Sequence, residues 1–134
     1  MTSLPKIFAH RGAPAAPPEN TLEGFQYAMD AGADGIELDL LLTRDGAGDW
    51  LHGKAPAIRD LTLEELRCYD VGGLRPGAAP KPPHQAQLQH CRIPTLDEFL
   101  TQVKTNAQDI ELLVELKHSP TANSQVQFLE SISK

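Results

Sequence analysis

No apolar run in the sequence approaches the roughly 20 residues a bilayer span requires, which excludes a transmembrane helix. The segment before His10 holds one lysine and no apolar stretch of signal-peptide length. That gives no sign of export and makes the cytoplasm the expected compartment. Cysteine is scarce: Cys68 and Cys91 stand far apart with no C-x-x-C pair, so two reduced thiols are expected rather than a bridge. Basic residues are outnumbered, 12 Lys plus Arg against 18 Asp plus Glu, for a net charge of -6. This balance excludes a partner held mainly by phosphate-backbone charge, and nucleic acid with it. No internal repeat of fixed period is present, which argues against a solenoid. What remains is ordinary: 134 residues, 40% hydrophobic and 22% charged, enough for one domain over 1–134 with a single core.

The pattern along the chain alternates strand and helix. Residues 6–10 read as a short strand, and the proline-rich stretch 13–18 as loop. Asn20 is positioned as the N-cap of a helix over about 21–31, with Glu23 in capping-box position. The segment 36–43 (IELDLLLT) reads as an apolar strand carrying Glu37 and Asp39. Thr62 with Glu65, and Thr95 with Glu98, form capping boxes over helices in LTLEELRCYD and TLDEFLTQVK. Residues 71–92, rich in Pro, Gly and Gln, are expected to be a surface loop. Residues 110–117 (IELLVELK) read as a further strand, with a helix over 125–133. This order implies crossover connections and a parallel sheet, its strands covered on both faces.

Side chains alternate across a strand, so Glu37 and Asp39 share one face while Ile36, Leu38 and Leu40 take the other. By the same rule Glu115 and Lys117 share a face. Both pairs, and His10, stand toward the C-terminal ends of their strands, where parallel sheets and barrels bind ligands. Three carboxylates without thiolates suit a hard divalent cation, Ca²⁺ or Mg²⁺. Arg11 and Lys117 beside it suit an anionic substrate such as a phosphate. Glu37-x-Asp39 alone reads as the solvent face of an edge strand; its recurrence as Glu115-x-Lys117 turns the reading toward a site.

The ordered set A-H-R-G at 9–12, P-E-N-T at 18–21, G-A-D-G-I-E-L-D-L at 32–40, T-R-D-G at 43–46, L-T-L-E-E-L at 61–66, I-P-T-L-D-E at 93–98 and E-L-K at 115–117 resembles the glycerophosphodiester phosphodiesterase family. The resemblance implies a (β/α)₈ barrel that hydrolyses glycerophosphodiesters to sn-glycerol 3-phosphate and an alcohol with Ca²⁺ or Mg²⁺. By position it implies Glu37, Asp39 and Glu115 as metal ligands, Arg11 and Lys117 as phosphate contacts, and His10 as one of two acid-base histidines.

Two departures from that pattern stand out. The second histidine belongs to a V-x-x-H-D strand; His52 stands at the matching spacing, but Gly53 follows it and no β-branched residue lies between Thr43 and Ile58. On a second alignment the H-D strand is deleted at 43–46 and His52 is an incidental loop residue. The other departure is length, since such a barrel takes about 250 residues. The expected fold is therefore about the first half of a barrel, with open strand edges that favour a homo-oligomer. A non-catalytic relative that binds metal or phosphate, or serves as an interaction module, is the alternative. A plain α/β domain without a site is a third reading, and it requires the three carboxylates to lie far apart. His84 and His90 read as solvated loop residues, and His118 as turned away from the mouth. Asp34 and Asp45 read as turn residues, Trp50 and Leu51 as packing, and Glu19 equally as helix-terminus charge or substrate contact.

Overall fold

A computed structural model describes residues 4–40, 58–72, 86, 88–106 and 109–116. Its strands are β1 (Phe8–His10), β2 (Gly35–Leu40) and β3 (Glu111–Leu116). Its helices are α1 (Leu22–Asp30), α2 (Leu63–Leu66) and α3 (Leu96–Thr105), with a single 3₁₀ turn at Ile58–Asp60. The strands form one parallel sheet in the order β1-β2-β3. Successive parallel strands need crossovers, and α1 supplies the first of them.

Ile36 and Leu38 turn to the helices and enter a buried core with Phe25 and Met29 of α1 and Phe99 of α3. The Phe25 and Phe99 rings meet at a centroid distance of 4.6 Å and an interplanar angle of 58°, a tilted contact that suits the ring quadrupoles. Beside this apolar contact Gln102 donates to the Leu22 carbonyl at 2.9 Å, and Asn106 donates to Gln26 at 3.2 Å. These bonds fix how α1 and α3 lie against each other and hence how they support β2.

The capping boxes form as the sequence implies. Thr62 accepts from the Glu65 N–H while Glu65 accepts from the Thr62 N–H, and Thr95 and Glu98 repeat the exchange. Four expectations need correction. The cap of α1 is Thr21, not Asn20: the buried Thr21 hydroxyl accepts from the Gly24 N–H at 3.1 Å and donates to the Pro18 carbonyl at 2.8 Å. The helix after Thr62 lasts four residues, because the Cys68 and Tyr69 N–H groups bond three residues back and tighten the last turn. The 71–92 loop is exposed at Ala86, Gln89 and His90 but anchored inward near its two ends. Cys91 and Gly72 are buried, and Val71 donates to the Cys91 carbonyl at 3.0 Å. Finally, among the described residues the helices lie on one sheet face, and Leu113 on the other is 57% exposed.

Candidate metal centre

Sheet register brings the polar residues together. His10 pairs with Glu37 across β1 and β2, and Asp39 pairs with Glu115 across β2 and β3. Because Glu37 stands two residues before Asp39 on β2, all four side chains fall on the face opposite the helices, at the C-terminal ends of the strands. Glu37, Asp39 and Glu115 each offer a carboxylate oxygen, and these atoms lie within 4.8 Å of one another. Burial grades across the group: Glu37 is buried, Asp39 half-buried and Glu115 exposed.

The turn after β1 folds over this group. Arg11 adopts a left-handed backbone with φ of 54° and Gly12 follows at φ of 85°. A Cβ on Gly12 would stand 2.8 Å from the Gly24 carbonyl carbon, so only glycine lets the turn lie against α1. The Arg11 N–H donates to the Glu37 backbone carbonyl at 2.8 Å and lies 3.1 Å from its carboxylate. Its guanidinium Nε is 2.9 Å from Asp39 Oδ2, and Nη1 is 3.4 Å from both oxygens of Glu19. These carboxylates, Asp39 foremost, raise the Arg11 pKa further above its ordinary value. The exposed imidazole of His10 holds Nε2 3.8 Å from Glu37 Oε2.

The donor set is made of hard carboxylate oxygens. Oxygens bound to one Ca²⁺ at about 2.3–2.6 Å stand at most roughly 5 Å apart, and the group meets that limit without rearrangement. Three like charges this close favour a cation between them. The residues therefore fit a divalent metal.

Of the residues singled out in the sequence, His10, Arg11, Glu37, Asp39 and Glu115 converge here. Lys117, His52, His84, His118, Trp50, Leu51 and Asp45 lie outside the described residues. Exposed His90 donates its backbone N–H to Asp70 at 2.6 Å, and Asp34 accepts from the Ile7 N–H at 2.8 Å, which are structural roles. Glu19 pairs with Arg11, its carboxylate 3.4 Å from Nη1. Asn20 was missed as a site residue. Its side chain accepts from the Asp39 N–H at 3.2 Å and donates to Asp39 Oδ2 at 3.4 Å. The signal lay in the adjacent Asn20-Thr21, two residues able to cap where one suffices.

Known proteins resemble this chain in sequence and in fold. The family model for the glycerophosphoryl diester phosphodiesterase family matches residues 10–130. A glycerophosphodiester phosphodiesterase of Bacillus altitudinis is 35% identical over 124 residues, covering 87% of this chain and 46% of that protein. YhdW of Bacillus subtilis strain 168, named for the same activity, is 37% identical over 136 residues, covering 96% of this chain and 50% of that protein. A crystal structure from Silicibacter pomeroyi DSS-3, named for it as well, superposes with a TM-score of 0.84 at 30% identity, covering 99% of this chain and 53% of the other. The chain thus spans about half the length of the relatives it matches, and its α/β fold is a corresponding part of the barrel. With the family model covering most of its length, the chain belongs to the glycerophosphoryl diester phosphodiesterase family.

Proposed function

We propose that the chain binds a glycerophosphodiester at the strand ends and hydrolyses it to sn-glycerol 3-phosphate and an alcohol, with Ca²⁺ or Mg²⁺ held by Glu37, Asp39 and Glu115. The observation that carries this reading is the gathering of the three carboxylate oxygens within 4.8 Å, beside Arg11 and His10. A bound divalent ion there supplies charge stabilisation to the phosphate and its attacking hydroxyl.

The protein's own groups account for the rest. Arg11 stands ready to bind phosphate oxygens in place of part of its present carboxylate pairing, and Lys117 takes the same role in the sequence reading. His10 is exposed enough to accept the proton of the glycerol hydroxyl that attacks phosphorus. As the new O–P bond closes a cyclic phosphate, the P–O bond to the alcohol breaks and the alcohol leaves with a proton. His52 is the candidate donor for that proton. Water then opens the ring. We further infer a homo-oligomer, supported by β1 and β3 being the outer strands among the described residues.

The test is release of glycerol 3-phosphate from glycerophosphocholine with Ca²⁺ or with chelator, beside Glu37→Ala. Metal-dependent release that disappears in the variant supports hydrolysis. Calcium uptake without release favours the non-catalytic binding reading, and neither result leaves only the plain α/β domain.

A further inference from the structure

We propose that Asn20 is a positioning residue of the cation site, holding Asp39 in place as a ligand and tying it to the Arg11 turn; the inference rests on the cation reading above. Asn20 has a left-handed backbone with φ of 52°, a conformation that asparagine and glycine tolerate best. Glycine would meet that backbone demand alone. The amide does more, because it offers an acceptor and a donor at once. Oδ1 takes the Asp39 backbone N–H at 3.2 Å and Nδ2 reaches Asp39 Oδ2 at 3.4 Å, so one side chain grips both ends of Asp39. The Asn20 backbone N–H donates to the Arg11 carbonyl at 3.0 Å. Arg11 in turn brings Nε to 2.9 Å from the same Asp39 Oδ2. A closed circuit results, running from Asn20 to Arg11 to Asp39 and back.

Helix capping does not explain this side chain, since Thr21 caps α1. Nor does charge balance, since the amide is neutral. An aspartate at 20 could take the Asp39 N–H but would set a carboxylate against Asp39 Oδ2. The amide is the group that orients a neighbouring carboxylate without setting a like charge against it, as partners behind a metal ligand do.

The experiment is calorimetric titration with Ca²⁺ of the wild type, Asn20→Gly and Glu37→Ala, with thermal melting of each in chelator. Glycine preserves the backbone conformation and removes only the amide. The expected result is Ca²⁺ affinity about 10- to 100-fold weaker in Asn20→Gly, with a chelator melting curve close to wild type. Undiminished affinity in Asn20→Gly, beside a wild type that binds and a Glu37→Ala that does not, overturns the positioning role and leaves the cation reading intact. No uptake by the wild type overturns both. If Asn20→Gly does not fold, the Asn20 side-chain amide resonance of the wild type decides. It must move with Ca²⁺ together with the Asp39 backbone amide, and a resonance that stays still overturns the proposal.

Discussion

A carboxylate taken out of water must find partners or lose its charge, and Glu37 is only 8% exposed. It meets the Arg11 backbone N–H and faces the His10 imidazole. The His10 side chain is 68% exposed, and in the proposed reaction it acts on the substrate. Replacing His10 with alanine is expected to lower glycerol 3-phosphate release by about 10²- to 10⁴-fold while Ca²⁺ uptake is retained, read by paired turnover and calorimetry. Equal loss of both would reassign His10 to holding the cation. The two cysteines differ as sharply. Burial, followed by the nearby Glu23 carboxylate, pushes the Cys91 thiol up to about 12, whereas Cys68 is exposed. An alkylating reagent at pH near 8 is expected to label Cys68 in the native chain and Cys91 only on unfolding, which peptide mapping detects. The raised Cys91 value stabilises the fold below about pH 9.0, and that contribution fades as pH climbs toward about 12.

Among the elements, α3 depends on its cap. The Thr95 backbone N–H holds the Glu98 carboxyl below its ordinary value, with the Thr95 hydroxyl and Arg67 acting in the same direction. A depressed carboxyl stabilises the folded state above its unfolded value, about pH 4.5, and the contribution is lost as pH falls through the lower folded value. Glu98→Gln is therefore expected to narrow the gap in thermal stability between pH 6 and pH 3.5, and an unchanged gap would remove Glu98 from the acid response. Both capping boxes were legible in the sequence because their spacing is local, and so was the parallel strand and helix order. The cap of α1 was not legible. Asn20 and Glu23 satisfy the same spacing, and what decides for Thr21 is its bond to Pro18, a contact that appears only once the loop has folded back. The face shared by Glu37 and Asp39 followed from alternation alone, yet the pairing of Asp39 with Glu115 needed the sheet register, which no single strand encodes.

At the scale of the molecule, the described helices lie on one face of the sheet, while Phe8 and Leu113 on the other are 39% and 57% exposed. Exposed apolar surface beside outer strands favours association. Light scattering across a concentration series is expected to give a rising mass, and a constant monomer mass would contradict the proposed oligomer. The same open face carries Glu37, Asp39 and Glu115, and the functional reading depends on these three acting as one site. Calorimetry of the chain with Ca²⁺, beside Glu37→Ala, Asp39→Ala and Glu115→Ala, tests that dependence most directly. The expected result is one ion per wild-type chain and loss of binding in each variant. Binding that survives all three substitutions, or a wild type that takes up no ion, would contradict it.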